Sequence, residues 1–391
     1  MEFIKSKHNN AKYVDNVYAI ANLAKADNDP STINATIGSF YNEQGKLLTY
    51  PAVFENESKL TPTQKAAYAE GAQGNKRFID TITKFVLANK VNHSRCLATA
   101  GGTGGISLSI SMCLEEDDTI FLPEIAWGNY NLIAKEFNLN IVNYDPYNID
   151  SLLDKLKDDK KTFIVINSPC QNPCGCSYSY EEWKKLFDKV NSFKNEVIIL
   201  DDAAYMDYAN DSNYKDYFEL FNSTSENVLV LLAYSCSKSF SYYGLRLGAL
   251  FIINDNEELL DELENQFRKH NRTIWSSVNN GAMINVADVL ENHFAEYIKQ
   301  KDESVELLKQ RSDLFIKQAK ENKLELYPYK EGFFVTLKIV DNNLRDEIHK
   351  KLIDNHIYTI KVNKGIRVGI CALNMNKIDG LAKKIQDIIE R

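Results

Sequence analysis

The stretch YSCSKSFSYYGLRLG, Tyr234 to Gly248, places one lysine, Lys238, among serines and one arginine, Arg246, eight residues later. The run VLVLLA before it carries no charge, so Lys238 stands at the end of a buried strand. A lysine drawn out of water loses proton affinity, and a nearby arginine lowers it further. The neutral amine is the form that condenses with an aldehyde. Ser235 and Ser237 offer short hydroxyls to phosphate oxygens, and Arg246 can grip a phosphate through two parallel N–H bonds.

Other strand ends carry matching chemistry. GGTGGISLSISMCL, Gly101 to Leu114, opens a helix with glycines and Thr103, leaving backbone N–H groups free for a phosphate. It is neither a P-loop nor a GxGxxG turn. Trp127, in AWGNYN, can cover a planar ligand. In CQNPCG, Asn172 beside Pro173 and Gly175 forms a turn and can donate to a ligand oxygen. VIILDDAAY puts Asp201 and Asp202 at a strand end, where alternation turns only one of them to a site, and Tyr205 lies within reach of it. A buried carboxylate there requires a partner. Cys170, Cys174 and Cys176 cluster in CQNPCGC, but no Cys or His pair follows at ligand spacing, so we read them as packing around a turn, not as a metal site.

Seven apolar runs position these groups: 96–100, 119–123, 140–144, 162–167, 197–201, 228–234 and 247–253. Most lack alternation, as strands buried on both faces do, and helical stretches such as 180–193 intervene. The pattern predicts an α/β fold around a mostly parallel seven-stranded sheet, with ligands outside the carboxyl ends of the strands. After Asn254 the order changes to helix over 255–270 and 281–321, a strand at 333–340, helix over 344–356, short strands near 357–370 and helix over 376–390. That is a smaller α+β domain. The expected division is an N-terminal segment, 1–45, packing on the small domain, a large domain, 46–285, and the small domain, 286–391.

A length of 391 residues with 44% hydrophobic content supports a large core. Net charge is −8 with no basic stripe, which argues against nucleic acid as a partner. No apolar run approaches the ~20 residues of a membrane span. The first residues, MEFIKSKHNNAK, lack the apolar core of a secretory signal, and seven cysteines is an odd count; both point to reduced thiols in the cytoplasm.

Together the motifs resemble the fold-type I pyridoxal-phosphate enzymes, and among them the class I aminotransferases of the aspartate/aromatic subgroup. SCSKSFSYYGLRLG is similar to their S-x-S-K…G-x-R-x-G segment, NPCG to N-P-x-G, DAAY to D-x-A-Y, GGTG to G-G-T-G and AWGNYN to W-x-N. Thr36 to Val53 resembles the subgroup's N-terminal glycine segment, and GIRVGICALN, Gly365 to Asn374, its carboxylate-arginine strand. The resemblance implies pyridoxal 5'-phosphate held as a Schiff base on Lys238, which also moves the proton. It implies Asp202 on the ring nitrogen, Tyr205 and Asn172 on the ring oxygen, and Trp127 on the ring face. Gly102, Thr103, Gly104, Ser235, Ser237 and Arg246 would hold the phosphate. Arg367, Asn172 and Gly38 would hold the substrate α-carboxylate. A homodimer with shared active sites is implied as well, Tyr68 reaching the partner's phosphate and Arg272 the distal carboxylate of the partner's substrate, with Arg268 a rival four residues earlier. The substrates implied are an aspartate-like, glutamate-like or aromatic L-amino acid and a 2-oxo acid.

Two departures stand out. Tyr130 occupies the position where the subgroup often has a histidine behind the ring-nitrogen aspartate, and SSVNNG replaces a proline-rich stretch beside the side-chain pocket. Alternative functions are a pyridoxal-phosphate lyase of the same fold and a non-catalytic ligand sensor. The pair Arg272 and Arg367 favours a substrate with two carboxylates. A nicotinamide dehydrogenase is disfavoured by the absence of a GxGxxG turn.

Overall fold

The computed structural model describes residue 3 and residues 15–391. Residues 1, 2 and 4–14, which begin the expected N-terminal segment and carry the reading on secretion, lie outside the described residues. Strand β1 is Ile33–Asn34. It is followed by β2 (Ser94–Thr99), β3 (Thr119–Pro123), β4 (Asn140–Tyr144), β5 (Thr162–Ile166), β6 (Val197–Asp202), β7 (Val228–Ser235) and β8 (Gly248–Ile253). The last seven form one sheet in the order β2-β8-β7-β6-β5-β3-β4. All its pairings are parallel except those of β8, which runs antiparallel to β2 and β7.

The central strands are buried along both faces because their side chains alternate between two cores. Phe163, Val165, Ile198, Leu200 and Leu231 pack on one side with Ile106, Leu108 and Ile110 of the helix Gly101–Cys113. Ile164, Ile166, Val197, Ile199 and Val230 pack on the other with Trp183, Leu186 and Phe187 of the helix Tyr180–Val190. A run without polar residues is what such two-sided burial demands. The amphipathic helix over it starts at a capping box in which Ser179 and Glu182 satisfy each other's free backbone donors.

The small domain contains β9 (Phe334–Lys338), β10 (Ile357–Tyr358), β11 (Ile360–Val362) and β12 (Gly365–Gly369). β11-β12-β9 is an antiparallel sheet, and β1 pairs in parallel with β10. Ile33, Ala35 and Phe40 share a core with Phe315, Leu337, Val368 and Ile385. Chain before the large sheet therefore packs with chain after it.

Two expectations differ from what is found. Residue 286 lies inside the helix Asn280–Asn292, whose Met283, Val286 and Val289 belong to the large core. The crossing lies in the helix Phe294–Glu321, which places Tyr297 in the large core and Leu308 and Phe315 in the small one. The helix expected over 376–390 is two, Met375–Ile378 and Leu381–Ile389, separated where Gly380 adopts φ +75°. That left-handed conformation suits glycine, and it re-aims the chain so that Leu381, Ala382 and Ile385 face the core.

Candidate active site

The carboxyl ends of β6 and β7, the loop after β5, and β12 converge. Lys238 sits in the short helix Cys236–Ser239 directly after β7, and it keeps partial exposure while its neighbours are buried. Its Nζ donates to the Gly38 carbonyl at 2.8 Å and lies 4.7 Å from the Tyr243 ring centroid and 5.3 Å from that of Tyr205. Burial, reinforced by the positive charges of Arg367 and Arg246, lowers its pKa to about 8. The amine is therefore still mostly protonated at pH 7, with about a tenth neutral, far more than an exposed lysine provides.

Asp202 ends β6, buried at 4% exposure. Burial raises its carboxyl to about 6 against the opposing effect of two donors, the Tyr130 hydroxyl on Oδ2 and the Ala204 N–H on Oδ1 at 3.1 Å. Asp201 turns to the other face of the sheet and accepts from Tyr217 Oη at 2.7 Å. Alternation along β6 thus separates the two acids, and only Asp202 joins the cluster of Lys238. Tyr130 itself is fully buried, its ring edge-on to Trp127 at 5.4 Å between centroids. Burial and the adjacent carboxylate raise the phenol far above its ordinary value, so it stays a neutral donor.

Asn172 follows β5 in a loop tied to β6: its N–H donates to Asn167 Oδ1 at 2.8 Å, and Asn167 Nδ2 donates to the Asp202 carbonyl at 2.6 Å. Arg367, on β12, is 6% exposed. Nη1 donates to Asn172 Oδ1 at 3.2 Å and Nη2 to the Thr36 carbonyl at 2.6 Å, and the guanidinium lies 4.3 Å from the Phe334 ring centroid. Nε has no acceptor. A buried cationic donor without an acceptor is costly, and a carboxylate ligand would supply the missing one.

A second cluster forms at the N-terminus of the helix Gly101–Cys113. Arg246 Nη1 donates to Ser237 Oγ at 3.0 Å, and Ser235 Oγ caps the Ser237 N–H at 3.3 Å. A Cβ on Gly101 would stand 2.5 Å from Arg246 Nη2, and one on Gly102 3.1 Å from Ser235 Cβ. Gly101 also holds φ +73°, which suits glycine, and the close approach of backbone, hydroxyl and guanidinium leaves a cradle of donors suited to a phosphate. Thr103 is partly exposed beside it. Gly104 instead faces the Trp275 ring, where a Cβ would come within 3.2 Å.

Not every expected residue joins these clusters. Tyr68 is 88% exposed, and Arg272 is exposed with Nη1 on Ser276 of its own chain. Arg268 is also exposed, bonded to Asn265 at 2.8 Å. Cys170, Cys174 and Cys176 are free thiols packed beside the loop, with Cys176 Sγ 3.3 Å from Gln171 Oε1. Conversely, sequence reasoning overlooked Tyr243 and Phe334. Tyr243 Oη accepts from the Phe40 N–H at 3.0 Å, and its position five residues after Lys238 was the available signal.

A family profile described as aminotransferase class I and II matches residues 30–385. The chain belongs to the class I and II aminotransferases. A solved aminotransferase from Anaerococcus prevotii is 28% identical, with each chain fully covered and a TM-score of 0.94. A solved aromatic-amino-acid aminotransferase from Burkholderia pseudomallei, covalently bound to pyridoxal phosphate, shares the fold at 21% identity, 98% of each chain and a TM-score of 0.81. The cytoplasmic aspartate aminotransferase of Dictyostelium discoideum is 24% identical over 277 residues, 68% of this chain and 63% of that relative's length. The protein is thus a transferase of the fold-type I class, a pyridoxal-phosphate-dependent aminotransferase. Its residues fit that cofactor: an amine of lowered proton affinity, a donor cradle that a Cβ would crowd, and a buried carboxylate, Asp202. The lyase and ligand-sensor alternatives are not favoured.

Proposed function

We propose that the protein transfers the amino group of an aspartate-like, glutamate-like or aromatic L-amino acid to a 2-oxo acid, in a homodimer with shared active sites in the cytoplasm. The observation that carries the reading is the convergence of Lys238, Asp202, Asn172 and Arg367 from four separate segments. When bound, pyridoxal phosphate accepts the amino group at its aldehyde carbon and draws electrons from the substrate Cα.

The chain's own residues do the rest. Gly102, Thr103, Ser235, Ser237 and Arg246 would hold the phosphate, with Gly104 supporting the same helix turn, and Trp127 would cover the ring. Asp202, charged above about pH 6, would hold the ring nitrogen protonated. Tyr205 and Asn172 would donate to the ring oxygen. Arg367 takes the substrate α-carboxylate, using the Nε that lacks an acceptor. Gly38 shapes the same site: a Cβ there would stand 3.1 Å from the Phe334 ring. Lys238 Nζ, whose proton affinity burial lowers to about 8, would take the proton from the substrate Cα in its neutral form and give it up again once the amino group has moved.

Support for sharing comes from the surface. Tyr68 is 88% and Ile274 49% exposed, and Arg272 stands beside Ile274, so these groups are available to a second copy. In that assembly Tyr68 serves the neighbour's phosphate and Arg272 the distal carboxylate of its substrate. No described helix is long and apolar enough to cross a membrane. The test is a half-reaction screen. Adding L-aspartate, L-glutamate or an aromatic amino acid to the loaded protein should bleach its visible absorbance, and 2-oxoglutarate or oxaloacetate should restore it. No change with any of them overturns the reading.

A further inference from the structure

The helix Phe294–Glu321 buries one arginine completely, and the chemistry above does not use it. Arg311 is 0% exposed. Its Nε donates to Glu43 Oε1 at 3.0 Å, and Nη2 donates to the same oxygen. Nη1 donates to the Tyr41 carbonyl at 2.9 Å and to the Cys371 carbonyl at 3.2 Å. The guanidinium also lies 5.0 Å from the Phe40 ring centroid. Glu43 is engaged from a second side, since Oε2 accepts from the Met375 N–H at 3.0 Å and its carbonyl from Asn374 Nδ2 at 3.2 Å.

These contacts hold one strap of chain, residues 35–43, which touches both halves of the site. The Ala35 carbonyl accepts from the Gly369 N–H at 2.9 Å, two residues after Arg367. Its Thr36 carbonyl binds Arg367, its Gly38 carbonyl binds Lys238, and its Phe40 N–H binds Tyr243. The strap has no regular secondary structure across 35–40, so its carbonyls are aimed by tethers of this kind, among them also the Ala35 N–H to the Tyr358 carbonyl and the Tyr41 N–H to the Cys371 carbonyl, both at 2.9 Å. Only two of those bonds reach the large domain, and one of them ends on the Lys238 amine, which changes partners during the reaction. The fixed end is the Arg311–Glu43 pair. A buried guanidinium whose donors are spent on one carboxylate and two carbonyls is strongly resistant to displacement, because losing any partner leaves a charge or donor unpaired.

We propose that Arg311, through Glu43, is a positioning residue that aims the Gly38 carbonyl at Lys238 and so orients the freed amine for proton transfer at the substrate Cα. The inference rests on the aminotransferase reading of Lys238. An amine anchored by one N–H has fewer orientations in which its lone pair meets the Cα proton, and orientation of this kind lowers the barrier without a new contact to substrate. The bond from Lys238 to Gly38 is made only while the amine is free of the cofactor. The strap therefore serves the proton-transfer stage and not the capture of the cofactor phosphate.

The test uses Arg311→Lys and Glu43→Gln in the full-length protein. Hydrogen–deuterium exchange of the cofactor-free chain reads the strap directly. Amides of 37–41 should exchange at least about tenfold faster in both variants, while those of β5, β6 and β7 keep wild-type rates. In the loaded enzyme kcat should fall about tenfold, and the deuterium isotope effect at the substrate Cα should rise because proton transfer becomes more rate-limiting. Phosphate-dependent cofactor affinity should stay at the wild-type value. Unchanged exchange over 37–41 overturns the proposal, and so does a fall in kcat with an unchanged isotope effect. Glu43→Gln keeps the shape of the side chain but offers one acceptor oxygen where the carboxylate offers two, so either Arg311 or the Met375 N–H loses its partner, and the variant remains decisive where Arg311→Lys fails to fold. Wild-type protein inactive toward every amino acid would instead count against the functional reading, leaving the exchange result to stand by itself.

Discussion

Replacing Tyr130 with phenylalanine removes one oxygen and tests what sets the charge of Asp202. The ring fills the same buried space against Trp127, so packing is preserved. What is lost is one of two donors to a buried carboxylate, the other being the Ala204 N–H at 3.1 Å. A hydrogen bond to a charged group is worth ~1.5–3 kcal/mol, which corresponds to a rise of about one to two pKa units. Asp202, already lifted by burial to about 6, would then titrate above neutrality. The sign follows: a carboxylate whose pKa is raised is charged over a narrower range of pH, so the loss is large near neutrality and shrinks above about pH 9. A neutral Asp202 no longer holds a proton on the ring nitrogen, and the cofactor loses an ionic partner. We expect pyridoxal phosphate to bind about two- to tenfold more weakly at pH 7, the deficit growing as pH falls and closing as it rises. Absorbance titration of the cofactor-free variant across pH measures this without reference to turnover. A binding curve that matches wild type at every pH would refute the reasoning and leave Tyr130 a packing residue.

Three further outcomes are expected. Lysine in an unfolded chain holds its proton to about 10.5, whereas folded Lys238 releases it near about 8, so folding the protonated form costs up to ~3 kcal/mol. That cost is full below about 8 and gone above about 10.5, so the cofactor-free Lys238→Met variant should melt higher than wild type near pH 7 and converge with it in strong alkali; equal melting at neutral pH would contradict it. Arg272→Ala should lower dicarboxylate kcat/KM on the order of a hundredfold and spare alanine and phenylalanine, and an equal loss for all substrates would mark a structural residue. Mixed dimers of Lys238→Ala and Tyr68→Phe chains should recover activity through one intact site, and no recovery in re-formed hybrids would count against sharing.

The parts legible in the sequence are those governed by local rules. Two-sided burial writes β5, β7 and the first four residues of β6 as runs without charge, and the strand-end rule then points to Asn172, Asp202 and Lys238 in turn. The domain crossing was illegible because the helix Phe294–Glu321 passes from one core to the other without a break in its periodicity. Arg311 and Glu43 are separated by 268 residues, and an arginine among charged helix neighbours gives no sign of complete burial. Tyr130 was visible as a departure, but its bond to Asp202 spans 72 residues and depends on how the turn after Trp127 presents the ring.

That departure has a consequence for the whole site. The groups around Lys238 and Asp202 are phenols, Tyr130, Tyr205 and Tyr243, all held above their ordinary values, chiefly by burial. None of them changes charge between about 6 and about 8, the values to which Asp202 and Lys238 are brought. A histidine behind Asp202 would titrate inside that interval and couple to both groups. With tyrosine there, the cofactor-free site has two protonation events near neutrality, gain of charge at Asp202 as pH rises through about 6 and loss of charge at Lys238 through about 8. The interval between them holds an anionic Asp202 and a cationic Lys238, the state that draws in a cofactor with an anionic phosphate and a basic ring nitrogen.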